Sequence, residues 1–496
     1  MLPPSDPFYH FLLTGIKDGF KITSEEYHGP NIWEHNYKSA TGPQWHHIVE
    51  QQIITELENG RYIPVSARPR IVSALGAIPK KNSTQVRIIH DCSRPHGSAL
   101  NDLAHRDKFS YQTLQDAVAL ITPKSYLAKL DLSSAYRSVK LHPSDWEVSG
   151  LAWTFSGEPE PLFMIDKRLM FGARKSPYIF HHLSQAVCRI MSSHGYPGIV
   201  CYLDDFLVIS DSYQKCQETL EYLMKILRHL GFAINYSKLE GPSRVLNFLG
   251  IQLDVDHQVL RLPPQKLQQF LSEVRQIYHS SSASKKQLQS LVGKLSWACQ
   301  VIHGGRPHLR RLLDSIHKLN GPRHRTRITA DMKLDLAWWI AFAKIFNGSV
   351  PMLDHRNHLS VSIDACSSGA GGFSHGLLYH LDWTDWPGTE ALHINYKEVL
   401  ALEPAIMSWA PYWQNHVVDI YSDNQAAVSI LNKGTCRDPL VMESLRRVFW
   451  LSAVYNIKLQ ARYYPGTHNI LADACSRLPH PTACRTLVTA LQHTYI

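Results

Sequence analysis

Residues 198–210 read GIVCYLDDFLVIS, two apolar runs with adjacent aspartates between them. Short apolar runs of this length suit buried strands, so the pattern predicts two strands joined at an acidic turn. Adjacent carboxylates on an apolar support repel each other and lose hydration. A divalent cation relieves both penalties, which makes Asp204 and Asp205 candidate ligands. An ordinary Asp-rich turn is the alternative.

The rest of the chain must accommodate that turn. Its 496 residues allow three or more domains at about 100–200 residues each. Hydrophobic residues at 44% and charged residues at 19% suit a globular protein with large cores. A formal net charge of +9 suits a polyanion, because Lys and Arg displace counterions from phosphates. The nine cysteines form no C-x-x-C pair, so they signal neither a disulfide framework nor a zinc site. The 28 histidines lack metal-ligand spacing. No apolar run approaches the roughly 18 residues of a membrane span, and the N-terminus lacks the features of a signal peptide. The expectation is a reducing cytosol or nucleus and no membrane.

Periodicity organises the chain. A short amphipathic helix is predicted over residues 45–59, ended by Gly60. Alternating strands and helices then run to about residue 253. From about 263 to 345 the pattern is helical, and Ser284 and Gln287 have capping-box spacing. Residues 306–327 carry seven Lys or Arg and one acid, read here as a strip that tracks a phosphate backbone rather than a merely solvated face. LSVSID then alternates with period two, placing Leu359, Val361 and Ile363 on one face and Ser360, Ser362 and Asp364 on the other. It opens a second α/β domain ending near Arg477, and the last residues read as a tail.

LAKLDLSSAYRSV places a third acid, Asp131, at the end of an apolar strand. Three carboxylates on neighbouring strand ends can hold two Mg²⁺ ions. In this order the segments resemble the motifs of reverse transcriptases: LDLSSAY as motif A, FGARKSP as motif B and YLDD as motif C. The resemblance implies that Asp131, Asp204 and Asp205 are the catalytic carboxylates. It implies that Tyr136 is a steric gate against a ribose 2′-hydroxyl. AIPKKNSTQVRIIHD resembles the fingers hairpin, which implies triphosphate contacts from Lys80, with Lys81 as its substitute, and from Arg87. Gly172 would allow close backbone approach to the nucleotide. Phe171 stands where some relatives carry Gln, so no side-chain hydrogen bond is carried over to it. Lys238 falls at a motif D position, as a proton donor to pyrophosphate. FLGIQL, around Gly250, resembles the primer grip.

A second set of acids follows. Asp364 ends the alternating strand before SSGAGGF, Glu398 lies in INYKEVLALEPAI, Asp423 lies near the end of VVDIYSDN, and Asp473 lies in HNILADACSR. In this order they resemble the D-E-D-D set of RNases H, implying two metal ions, activation of a water and RNA hydrolysis. Pro404 falls inside the expected helix and should kink or shorten it. His468 lies near Asp473, but in a loop shorter than that of relatives with a mobile catalytic histidine.

The expected fold is multidomain α/β: a right-hand polymerase of fingers, palm and thumb, plus a connection and an RNase H-like domain. The divisions are an N-terminal extension (1–44), fingers and palm (45–255), a helical and basic thumb and connection (256–350), RNase H (356–479) and a tail (480–496). The resemblance implies an RNA- and DNA-directed DNA polymerase with RNase H activity. Its partners would be template–primer, RNA–DNA hybrid and deoxynucleoside triphosphates, and its cofactor Mg²⁺ or Mn²⁺ at each site. SDPFYHFLLTGIKDGF, RIIHDCSRPHGSALND and YYPGTHNILADACSRLP are most similar to DIRS-like, tyrosine-recombinase retrotransposons. A gypsy-type or pararetroviral polymerase and a non-catalytic nucleic-acid-binding relic are the alternatives.

Overall fold

The computed structural model describes residues 2–80 and 85–495, and the chain divides into two compact units, Met1–Leu249 and Gly250–Ile496. Among the described residues no helix is long and apolar enough to cross a membrane.

The acidic turn organises the first unit. Ile199–Tyr202 and Asp205–Ser210 pair antiparallel, and Asp205–Ser210 also pairs with Tyr126–Asp131, whose other edge carries Glu240–Ser243. Helices Ser176–Ser193 and Tyr213–His229 pack on this sheet, sealing Phe206, Val208, Leu130, Phe180 and Leu223 into one core. That packing explains the unbroken apolar runs: strands covered in this way need no polar alternation. The helix expected over 45–59 is His46–Glu58, and Gly60 follows it at φ +61°. Its Val49 and Ile53 share a second core with Leu75, Val86 and Trp153, beneath the hairpin Ala74–Pro79 and Val86–Asp91.

Residues 2–44 are built into this unit. Asp6 forms an ion pair with Arg189 at 2.6 Å, and Phe8 stacks on His182 at 3.9 Å. The amides of Ile22 and Thr23 donate to the buried Asp145 carboxylate at 2.6 and 3.1 Å, and Ile32–Trp33 joins a five-stranded sheet beside Ile71–Val72.

In the second unit, Pro264–His279, Lys285–Ala298, Arg310–His317 and Ala330–Phe346 form the expected helical region. The Ser284 cap is present, with Ser284 Oγ accepting from the Gln287 amide and Gln287 Oε1 accepting from the Ser284 amide. The basic strip is less continuous than expected, because protein partners consume part of it. Arg310 pairs with Asp314 and Arg311 with Asp335, and Arg325 donates to Ser282. Lys318, Arg323 and Arg327 remain exposed.

A five-stranded sheet follows, in the order Leu377–Asp382, Gly369–Ser374, His358–Ala365, Val417–Ser422, Lys458–Tyr463. The first three strands are antiparallel and the last two run parallel to the central one, so a second α/β sheet does begin at the LSVSID strand. The burial of Val361 and Ile363 matches the period-two reading. The expected effect of Pro404 is a break: the helix divides into Ile394–Leu400 and Leu402–Trp409. Pro404 has no N–H to offer the Leu400 carbonyl one turn earlier, and Tyr379 donates its hydroxyl to the neighbouring Ala401 carbonyl. The Gly-rich run does more than turn. A Cβ on Gly371 would sit 2.3 Å from Cys475, so glycine lets helix Ile470–Ser476 lie on the strand. The residues read as a tail instead form helix Pro481–Tyr495, because Leu487 finds apolar cover on Ala474 and Cys475.

Candidate active sites

Three acids reach one end of the first unit's sheet. Asp131 and Asp205 stand opposite each other on neighbouring strands, and Asp204 occupies the turn between them and Tyr202. Leu203 takes φ +55°, which turns the chain sharply enough to present adjacent carboxylates. Ser184 donates to the Leu203 carbonyl at 2.7 Å, and the Leu132 amide donates to the Asp204 carbonyl at 3.2 Å. Tyr202 packs on Tyr111 with ring centres 4.8 Å apart, while Gln112 Oε1 accepts from the Cys201 amide. Tyr111 and Gln112 escaped the sequence reading because they lie in no acidic or glycine-marked motif.

Burial, reinforced by Asp204 and then Asp131, pushes Asp205 up to about 6. Burial and the Asp131 charge also raise Asp204. Asp131 itself is ion-paired: Lys238 Nζ lies 2.6 and 3.2 Å from its two oxygens. Lys238 therefore stands beside the acids, and its hydrogen bond to Asp131 raises its own pKa.

Tyr136 lies in the turn Ala135–Ser138 just beyond Asp131. Its ring stacks on Phe171 at 4.8 Å, and the Arg87 guanidinium sits 4.7 Å over the other partner, the Phe171 ring. Phe171 thus supplies a wall where no hydrogen bond was expected. Gly172 has φ +122°, and a Cβ there would fall 1.8 Å from the His90 carbonyl oxygen. Its close backbone neighbour in this structure is therefore the strand Val86–Asp91. Lys80 is exposed and donates to Gln85. Lys81 lies outside the described residues. Gly250 takes φ +82° at the start of the second unit.

The second set converges more tightly. Among the described residues, ligand oxygens of Asp364, Glu398 and Asp423 all lie within 4.8 Å of one another. Asp364 accepts from Ser476 Oγ at 2.6 Å. Glu398 Oε2 is buried without a hydrogen-bond partner. Burial, then the charges of Asp364 and Asp423, push Glu398 up to about 9, and burial chiefly raises Asp364 to about 6. An orphaned oxygen among converging carboxylates fits a divalent cation. Asp473, expected as the fourth ligand, stands outside this set. Its side chain is half exposed and bound to Arg477 one turn on, at 2.7 Å. The first cluster is likewise absent from such a set, with Lys238 holding Asp131. Its three-carboxylate donor set still suits a hard cation. His468 lies tilted against Tyr464, ring centres 5.5 Å apart.

Residues 78–253 match the family described as reverse transcriptase (RNA-dependent DNA polymerase). The Retrovirus-related Pol polyprotein from transposon opus of Drosophila melanogaster is 23% identical over 457 residues, covering 87% of this chain and 42% of that protein. The enzymatic polyprotein of figwort mosaic virus is 22% identical over 398 residues, covering 76% and 54%. The chain thus spans about half the length of these relatives. Among solved structures, the foamy viral protease-reverse transcriptase in complex with dsDNA aligns at TM-score 0.55 and 18% identity, covering 90% of this chain and 87% of that one. The same protein in complex with RNA/DNA hybrid aligns at TM-score 0.56 and 18% identity, covering 89% and 56%. These likenesses establish the multidomain α/β polymerase fold. Residues 78–253 thus match a reverse transcriptase domain, within a chain similar to retroelement and viral polyproteins.

Proposed function

We propose that this chain copies RNA and DNA templates into DNA and cleaves the RNA of the resulting hybrid, in the replication of a DIRS-like retroelement. The observation that carries the double activity is the convergence of Asp364, Glu398 and Asp423 in a unit separate from Asp131, Asp204 and Asp205. The element type rests on the quoted N-terminal, fingers and C-terminal segments.

Asp131, Asp204 and Asp205 would hold Mg²⁺ in the first unit, and Asp364, Glu398 and Asp423 in the second. Asp473 would join the second set on release from Arg477. Bound divalent cations supply charge neutralisation and oxygen activation at phosphorus. The protein's own groups do the rest. Arg87, held over Phe171, would meet a triphosphate, together with Lys80 at the end of the same hairpin. The Tyr136 ring, fixed against Phe171, would occupy the space of a 2′-hydroxyl. Lys238 is a charged donor beside Asp131, suited to deliver a proton to pyrophosphate.

The two activities should separate. On a primed RNA template with Mg²⁺, Asp204→Asn is expected to lose extension by about 10³-fold or more while still cleaving a preformed hybrid, and Glu398→Gln to do the reverse. Loss of both activities in either variant, or of neither, would sink the assignment.

Cation binding at the second set should also depend on pH. Glu398 holds its proton up to about 9, against 4.5 for an ordinary Glu. Between those values the folded state binds more protons than the unfolded one, so stability of the cation-free protein falls as pH rises. A cation relieves that repulsion and displaces the proton. Mg²⁺ should therefore raise the melting temperature more at pH 8.5 than at pH 6, and Glu398→Gln should flatten the difference. Equal Mg²⁺ shifts at both pH values would contradict the proton-linked site.

A further inference from the structure

Beside Tyr136 lies a buried charge cluster that takes no part in the chemistry proposed for the acids. Arg137 follows Tyr136 directly. Its Nε and one terminal nitrogen donate to Glu56 Oε2 at 2.8 and 2.6 Å. Both terminal nitrogens donate to Asp166, at 2.7 and 3.0 Å. One of them also reaches the Leu169 carbonyl at 3.3 Å. Arg61 adds a second cation, 3.0 Å from Glu56. Two carboxylates thus face two guanidinium groups. The Arg137 side chain is 12% exposed and that of Asp166 is 0%.

The partners come from three separate elements. Glu56 belongs to helix His46–Glu58, Asp166 ends strand Leu162–Asp166, and Leu169 opens the segment leading to Phe171 and Gly172. Asp166 also lies 3.6 Å from the buried His90 ring. The His90 amide donates to the Phe171 carbonyl, and the His90 carbonyl is the atom that crowds Gly172. One fork therefore ties the turn bearing the gate to the segment bearing the wall against which the gate stacks. A planar guanidinium can bridge two carboxylates in fixed directions, whereas an ammonium cannot.

We propose that Arg137, clamped between Glu56 and Asp166, is a positioning residue that sets the spacing of Tyr136 and Phe171 and thereby selects the sugar of the incoming nucleotide. This rests on the polymerase reading given above. A merely structural role would cost stability without changing selectivity.

The test is single-nucleotide incorporation on a primed RNA template with Mg²⁺, comparing a deoxynucleotide with its ribonucleotide. Arg137→Lys keeps the charge balance and loses the fork. Glu56→Gln keeps Arg137 and weakens one anchor. Both are expected to raise KM for the deoxynucleotide more than they lower kcat. Both should cut deoxy-over-ribo discrimination about tenfold, since displacement of an aligned group by an ångström costs on the order of 10²-fold. Arg137→Lys should also melt lower, because an ammonium cannot satisfy both buried carboxylates, but lost stability by itself would leave the choice of sugar unchanged. Unchanged discrimination and KM in the two variants, whatever their melting temperatures, would overturn the proposal. If the unaltered protein extends no primer, the polymerase reading itself fails, a result visible before any variant is compared.

Discussion

Replacing Gly172 by alanine is expected to lower nucleotide incorporation by about two orders of magnitude or more, the cost of shifting an aligned reacting group by an ångström. Two features of the backbone combine there. At φ +122° an L side chain is strained, typically by about 1–3 kcal/mol. The new Cβ would also lie 1.8 Å from the His90 carbonyl, well inside contact distance. The neighbour is strand backbone, paired along Ala74–Pro79, so it cannot swing aside as a side chain would. Either that strand or the segment carrying Phe171 must move, and the stack of Arg87, Phe171 and Tyr136 moves with it. Cleavage of a preformed hybrid, assigned to the other unit, should persist. Extension within a few fold of the unaltered protein would show that the close approach is dispensable.

Asp335→Ala is expected to destabilise the second unit by about 3–5 kcal/mol, the usual cost of stripping one partner from a buried ion cluster. Asp335 is fully buried in helix Ala330–Phe346. It takes Arg311 at 2.8 Å from helix Arg310–His317 and Arg446 at 3.2 Å from helix Pro439–Val454, with His308 at 3.6 Å. Removing it leaves two guanidinium groups poorly hydrated and facing each other. Burial opposes ionisation of Asp335, but His308 and the two arginines outweigh it and hold the carboxyl below its usual 3.8. Its contribution is thus complete above that value and lost as acid protonates it. Urea unfolding at neutral pH should show a clearly lower midpoint for the second unit. A shift worth under about 1 kcal/mol would mean that the apolar contacts of Trp338, Phe342 and Trp450 suffice to hold these helices together.

The two halves of the site differed in how readily the sequence disclosed them. The acids were legible through their order along the chain, which resembles two known motif sets; any one of them alone reads as an ordinary turn or strand-end acid. Helix ends were legible where a single residue decides them, as at Ser284, Gly60 and Pro404. Arg137, Glu56, Asp166 and Asp335 were hidden. Each is an unremarkable charge along the chain, and its meaning arises only when distant elements fold around it. The departure of Asp473 has the same cause, since the resemblance that suggested a ligand said nothing of Arg477 one turn away. Phe171 shows the converse: the sequence excluded a hydrogen bond there, and packing revealed what replaced it.

The leading residues also bear on where the polymerase unit can be divided. The recognisable family segment starts at residue 78, yet Asp6, Phe8, Ile22 and Thr23 are fastened to Arg189, His182 and Asp145 well inside it. Trimming at the homology boundary would strand the charge of Arg189, uncover an aromatic face and discard Glu56. A protease or an engineer choosing a scissile point should therefore find that shortened forms clump rather than refold, even though every motif survives the cut.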